Sequence, residues 1–117
     1  MGSKAITSVY QSTVNELSHR DYLREAEAAL DRVEAAADAA DLDSKREGSV
    51  LTLEIDNGAQ VIINLQPAIE ELWLASRVGA YHFRHADGAW RDTRGGADFI
   101  ARVREAVSAL GGPPLRL

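Results

Sequence analysis

Five carboxylates recur along one stretch of the sequence at the spacing of a helix surface. Glu27, Asp31, Glu34, Asp38 and Asp41 are separated by four, three, four and three residues. At about 100° per residue, this spacing keeps all five side chains within roughly an 80° sector of one helix. Carboxylate oxygens are hard ligands that suit Fe²⁺, Fe³⁺, Mn²⁺, Ca²⁺ or Mg²⁺, and a row without imidazole discriminates poorly among them. The spacing predicts weak, labile binding of a hard cation, and a solvated acidic face that keeps the protein soluble is the alternative.

A tryptophan in the middle of the chain is predicted to lie on the open face of a sheet. Residues 70–76 alternate, so if Leu72 and Leu74 face the core, Glu71 and Trp73 lie on the other face. Trp73 should therefore be largely exposed. Burying an indole against a partner removes about 150–250 Å² from water, a gross gain of about 4–6 kcal/mol. Trp73 is thus a candidate docking residue, and coverage by a loop or a second copy of the chain is the alternative.

Composition excludes several classes of function. The chain has no cysteine, which rules out disulfides, thiolate metal ligands and cysteine nucleophiles. Seven acids and one base lie between Glu25 and Asp43, so this stretch has a net charge of −6 and the rest of the chain nets +1. A nucleic-acid surface needs a basic stripe, so we expect no nucleic-acid partner.

The sequence also lacks the signatures of membrane segments and common enzymes. No apolar run approaches the ~18–20 residues needed to span a bilayer, and the N-terminus lacks a signal-peptide core. We therefore expect a soluble, cytoplasmic protein with no membrane partner. No G-x-S-x-G, P-loop, H-E-x-x-H or dinucleotide motif occurs, so we expect no enzyme. Oxidation of Fe²⁺ at the acidic row is the nearest enzymatic alternative.

The acidic row requires a helix, which is predicted to begin at about His19. Ser18 followed by Asp21 has the form of a capping box. Apolar residues from Tyr22 to Ala40 recur every three or four positions and form one buried stripe. The acidic row lies about 110° from the centre of this stripe, on the shoulder of the helix that should meet the sheet edge. Residues 1–17 are weakly patterned, and we expect a partly disordered N-terminal extension ahead of a single domain at residues 18–117.

The register of the sheet follows from one hairpin. Two amphipathic strands flank Asn57-Gly58. A two-residue turn would pair the apolar face of one strand with the polar face of the other. A three-residue loop with Gly58 as a left-handed bulge residue instead pairs Leu53 with Val61 and Leu51 with Ile63. We predict the bulge, because a slip of one residue would expose a whole hydrophobic set.

The remaining chain completes the fold class. A short edge strand is predicted around residues 44–46, a third strand at 70–76, and a last short strand at 89–93 with Trp90 inward. Asp98 should open a second helix whose buried stripe runs from Phe99 to Leu110. The order predicts an α+β fold, with two helices packed on one face of a five- to six-stranded antiparallel sheet.

Several motifs in this order resemble the frataxin family in its bacterial, CyaY-type form. They are Asn57-Gly58 between two strands, Ile63-Asn64-Leu65-Gln66-Pro67, Leu72-Trp73-Leu74-Ala75 and Tyr81-His82-Phe83. The resemblance covers about residues 18–110 and implies a frataxin-like α-β sandwich, in agreement with the predicted order of elements.

The resemblance also implies a function in iron–sulfur cluster assembly. A member of this family is expected to bind Fe²⁺ or Fe³⁺ and to associate with a cysteine desulfurase and a scaffold protein, as an iron supplier or a regulator. The implied iron ligands are Glu34, Asp38, Asp41 and Asp43, and the helical spacing extends this set to Glu27 and Asp31.

The implied partner surface lies on the sheet at Asn64, Gln66 and Trp73. A metal-independent interaction module, whose acidic helix docks a basic partner through Glu34 and Asp38, is the alternative to an iron carrier. We expect a monomer, with metal-induced oligomers as the alternative.

The sequence departs from the family pattern at several charged positions. Ala35 and Ala39 stand where second members of acidic doublets are usual, and Lys45 and Arg46 replace acids on the edge strand. These changes predict fewer or weaker iron sites. Glu71 stands where a neutral residue often precedes the Leu-Trp pair, which is expected to alter partner choice.

Overall fold

Two helices and one antiparallel sheet make up the part of the chain that the computed structural model describes, residues 18–117, and the predicted N-terminal extension at 1–17 lies outside it. All six strands pair in chain order. The predicted α+β sandwich is confirmed, with six strands. The elements are α1 (His19–Ala39), β1 (Asp43–Glu47), β2 (Val50–Glu54), β3 (Gln60–Gln66), β4 (Glu71–Ser76), β5 (Gly79–Ala86), β6 (Ala89–Asp92) and α2 (Phe99–Ala109).

Helix α1 begins where the sequence predicts. The Ser18 side chain accepts a hydrogen bond from the backbone N–H of Asp21 at 3.1 Å, which satisfies one of the free donors at the helix N-terminus. The apolar stripe of α1 is buried, with Tyr22, Leu30 and Val33 at most 1% exposed. Neither α1 nor α2 is long and apolar enough to cross a membrane.

The hairpin between β2 and β3 has the predicted register. Leu53 pairs with Val61 and Leu51 with Ile63, and Gly58 has a φ of 89°. This left-handed conformation carries little strain only at glycine, which is why the loop contains one. The four paired apolar side chains are fully buried and form the centre of the core.

Strand β4 begins one residue later than predicted. Pro67–Ile69 forms a 3₁₀ turn, and Glu70 adopts a left-handed conformation with a φ of 55°. Proline at the first position of the turn fixes its backbone and ends β3. The strand therefore starts at Glu71, and the predicted alternation of Leu72 and Leu74 toward the core is confirmed.

Helix α2 closes the core from the same side of the sheet as α1. The Asp98 side chain accepts a hydrogen bond from the Ala101 N–H at 3.2 Å and caps the helix. Trp90 is buried, in agreement with the predicted inward strand residue, and Leu115 after α2 is buried as well. The opposite face of the sheet, hereafter the outer face, is covered by neither helix.

Candidate functional site

The acidic row on α1 meets the sheet edge as predicted, and an arginine from the sheet binds its first three members. Arg46 Nη2 donates to Glu27 Oε1, while Nη1 donates to Asp31 Oδ1 at 3.0 Å and to Glu34 Oε1 at 3.2 Å. We call this group, Glu27, Asp31, Glu34 and Arg46, the clamped shoulder. One cation already satisfies three of the six predicted metal ligands.

The register of β1 explains why Arg46 reaches the helix. Arg46 pairs with Leu51, which faces the core, so the Arg46 side chain lies on the helix side of this edge strand. Its neighbours Lys45 and Glu47 lie on the outer face instead. From the sequence, Arg46 is identified only as a position where the family pattern has an acidic residue. The signal that predicts its direction is the alternation of side chains along β1, which places Arg46 on the same face of the sheet as Leu51.

The clamped shoulder keeps Arg46 charged. Burial would lower the Arg46 pKa, but the hydrogen bonds that Arg46 donates to Asp31 and Glu27, together with their negative charges, outweigh that penalty and raise the pKa above its ordinary value. The Arg46 side chain is 20% exposed, whereas Asp31 is 70% exposed. The group carries three negative charges and one positive charge, so it stays acidic even with the arginine in place.

The remaining predicted ligands lie apart from the clamped shoulder. Asp38 is exposed in the last turn of α1, and Asp41 is exposed just beyond the helix, which ends at Ala39; neither forms an ion pair within residues 18–117. Asp41 has a φ of 54°, so the prediction that it shares one helix face with the other four carboxylates is wrong. The last turn of α1 contains no basic residue, so the negative end of the helix dipole adds to their charge. Asp43 pairs with Glu54 and therefore lies on the outer face, on the other side of the sheet from α1.

The structure thus divides the predicted metal set into three parts. Within the described residues, no group of three or more histidine or acidic side chains is arranged to hold one metal ion. Arg46 contacts none of Asp38, Asp41 and Asp43. Iron binding at the row of six stays a prediction.

The outer face contains a second charged group, centred on a buried carboxylate. Glu71 Oε1 accepts from Trp73 Nε1 at 2.9 Å, and Glu71 Oε2 accepts from Arg84 Nε at 3.0 Å. His82 stacks on the Trp73 indole, with ring centroids 4.1 Å apart and an interplanar angle of 7°. We call Glu71, Trp73, His82 and Arg84 the Glu71 cluster.

The predicted exposure of Trp73 is wrong in degree. Trp73 lies on the outer face as expected, but it is half-buried because His82 covers one face of its ring and Glu71 fixes its N–H. The Glu71 side chain is 9% exposed although it lies on the solvent side of the sheet. These contacts join residues 71, 73, 82 and 84, and local alternation on β4 does not reveal them.

The other predicted partner residues lie in the same two rows of the outer face. Asn64 is directly opposite Trp73, and Gln66 is directly opposite Glu71. Both side chains are half-buried. The structure therefore brings Asn64, Gln66 and Trp73 into one patch, whereas Glu34 and Asp38 lie on α1 on the other side of the sheet.

Comparisons with known proteins identify one family. A model of the frataxin-like domain matches residues 15–112. The chain is 46% identical over 103 residues to a Paraburkholderia phymatum protein named iron–sulfur cluster assembly protein CyaY, with 86% of this chain and 98% of that protein covered.

Solved structures with the same fold belong to this family as well. A frataxin from Psychromonas ingrahamii aligns with a TM-score of 0.78 and 26% identity over 85% of this chain and 96% of its own. A trimeric frataxin from Saccharomyces cerevisiae, described as complexed with ferrous, aligns with a TM-score of 0.55 and 27% identity over 86% of this chain and 90% of its own.

Proposed function

The chain belongs to the frataxin family in its bacterial, CyaY-type form, and on this premise we propose that it acts in iron–sulfur cluster assembly as a non-catalytic iron-binding adaptor. The observation that carries this proposal is the 46% identity to a named assembly protein across nearly all of that protein. The names of such relatives describe assembly proteins rather than enzymes.

Iron is the proposed cargo of the acidic side of the molecule. Asp38 and Asp41 are its proposed first contacts, because both are exposed and neither is bound by Arg46. Two exposed carboxylates bind a hard cation weakly, which suits transfer rather than storage. A similar yeast frataxin is described as complexed with ferrous, which supports iron as the cargo.

The proposed partners are the cysteine desulfurase and the scaffold protein. Asn64, Gln66 and Trp73 form a patch on the outer face, and the half-buried indole keeps part of its surface exposed for contact. Glu34 and Asp38 are proposed to dock a basic surface on the other side of the molecule. The monomer is the proposed docking form, although a similar yeast frataxin is trimeric.

Binding of the purified chain to the desulfurase and scaffold of the source organism tests this function. We expect Trp73→Ala to weaken binding of at least one of them by about tenfold, since an interface aromatic contributes well over 1 kcal/mol. Val78→Ala is the matched control, because Val78 is 46% exposed in the turn between β4 and β5. Equal loss in both variants, or no binding by the wild type, contradicts the proposed surface.

A metal-independent interaction module is the second candidate, and the clamped shoulder favours it. Arg46 occupies three carboxylates that an iron site would use. If this function is correct, Glu34→Lys combined with Asp38→Lys weakens partner binding in metal-free buffer, and raised salt weakens wild-type binding similarly. Partner binding that requires added Fe²⁺ would contradict it.

A further inference from the structure

Two arginines lie directly opposite each other on the outer face. Arg84 on β5 pairs with Arg91 on β6, and both side chains are exposed. Like charges in this cross-strand arrangement repel each other. The chain thus holds two positive charges side by side at the edge of the patch that contains Trp73.

Glu71 holds Arg84 in an orientation that leaves most of its donors free. Within residues 18–117, the Arg84 side chain donates one hydrogen bond, from Nε to Glu71, and it is 61% exposed. The terminal nitrogens of a guanidinium match the two oxygens of a carboxylate. Because Nε is already hydrogen-bonded to Glu71, the two terminal nitrogens of Arg84 are oriented before a ligand binds.

The positive charge of the pair is only partly compensated. Glu71 is the carboxylate that contacts Arg84, and Arg91 forms no ion pair within residues 18–117. Asp98 pairs with Arg91 through the main chain, but its side chain caps α2. Arg94, three positions further along in the turn after β6, is also exposed.

We propose that Arg84 and Arg91 receive a carboxylate from an acidic protein segment that extends across the outer face onto Trp73. The inference rests on the proposed function, because it concerns the same patch and adds that the partner segment bound there is negatively charged. The Trp73–His82 stack lies in the row next to the arginines, so an extended segment contacts both. A small anion reaches only the exposed guanidinium groups, where water and salt screen it.

Arg91 offers the cleanest substitution, because its side chain forms no hydrogen bond within the described residues that the change would remove. We expect Arg91→Glu to weaken binding of the partner that Trp73→Ala weakens, by about tenfold in 50 mM salt and by much less in 500 mM salt. Arg91→Lys should retain part of the affinity, since lysine keeps the positive charge but lacks the paired terminal nitrogens that match a carboxylate. Arg104→Glu is the matched control, an exposed arginine on α2 with the same charge reversal.

The outcomes separate this inference from the proposed function. If Trp73→Ala weakens binding and Arg91→Glu does not, the patch is a docking surface but the proposal of an acidic segment is wrong.

If the wild type binds neither the desulfurase nor the scaffold, NMR titration with a hexaglutamate peptide still tests the arginine pair. We expect shifts at Arg84 and Arg91 that saturate at lower concentration than with inorganic phosphate and that Arg91→Glu abolishes. Equal binding of phosphate, or shifts centred on Arg104, would overturn the inference.

Discussion

The clamped shoulder places three carboxylates around one arginine, whereas the Glu71 cluster places one arginine and one indole around a single carboxylate. On the shoulder, Arg46 contacts three carboxylates, two of which are at least 46% exposed. In the cluster, Glu71 is 9% exposed and its oxygens accept from one guanidinium and one indole. Exposed charges contribute little to stability, whereas a buried carboxylate must keep its partners. We therefore expect the carboxylates of the clamped shoulder to exchange Arg46 for another cation at little cost in stability. We expect the Glu71 cluster to fix the positions of side chains on the outer face.

Alkaline pH should weaken the contribution to stability of a contact at the start of β4 and leave that of the clamped shoulder unchanged. We expect this to be the largest of the predicted effects. The Tyr22 hydroxyl donates to the Glu71 carbonyl at 2.7 Å, which ties α1 to the start of β4. Burial raises the pKa of Tyr22 from 10.0 to about 12. Because the unfolded chain loses this proton first, the contribution is complete below pH 10 and is lost as pH rises from 10 to 12. We expect a loss of roughly 2–3 kcal/mol, measured by urea unfolding across this range.

Tyr22→Phe is the control for this loss. It removes the titrating hydroxyl and should be less stable than wild type at pH 8 by about 1 kcal/mol, with a shallower decline above pH 10. The shoulder contributes no change in this window, because the Arg46 pKa is raised above its ordinary value. Parallel pH profiles for the two proteins would show that Tyr22 does not titrate in this way.

Removing the buried carboxylate should cost more than removing an exposed one from the same face. Glu71→Ala leaves Trp73 Nε1 and Arg84 Nε without their acceptor, and we expect a loss of about 2 kcal/mol in the free energy of unfolding. Glu71→Gln keeps one acceptor oxygen and should lose about half as much. Glu47→Ala is the control, since Glu47 is 74% exposed on β1, and it should change stability by at most about 0.5 kcal/mol. Equal losses at positions 71 and 47 would contradict the contrast between the regions.

The sequence predicts the scaffold of both regions better than their contacts. The bulge at Gly58, the cap at Ser18 and the shared face of Glu27, Asp31 and Glu34 follow from local periodicity and are confirmed. The contacts depend on pairs distant in sequence. Arg46 contacts α1 because β1 pairs with β2 in one register, and Glu71 accepts from Arg84 because β5 pairs with β4.

Replacing Arg46, the cation of the clamped shoulder, should give the smallest effect of these predictions, but it tests directly whether Arg46 excludes metal ions. Arg46→Ser removes the guanidinium from three carboxylates that lie on one helix face. We expect the affinity for Mn²⁺, a redox-stable stand-in for Fe²⁺, to rise about tenfold, which corresponds to about 1.4 kcal/mol. Calorimetric titration at low salt measures it, and NMR should place the new site at Glu27 to Glu34.

Lys45→Ser is the matched control for this gain, because it removes the same charge from the next residue of β1 on the other face of the sheet. Lys45 is 73% exposed, and within residues 18–117 its one ion pair is with Glu47, at 3.7 Å, so its loss should change Mn²⁺ affinity by less than about twofold. If both variants gain equally, only the net charge of the protein matters, and Arg46 does not compete for the shoulder. If Arg46→Ser alone gains, Arg46 keeps the shoulder closed to metal in the wild type.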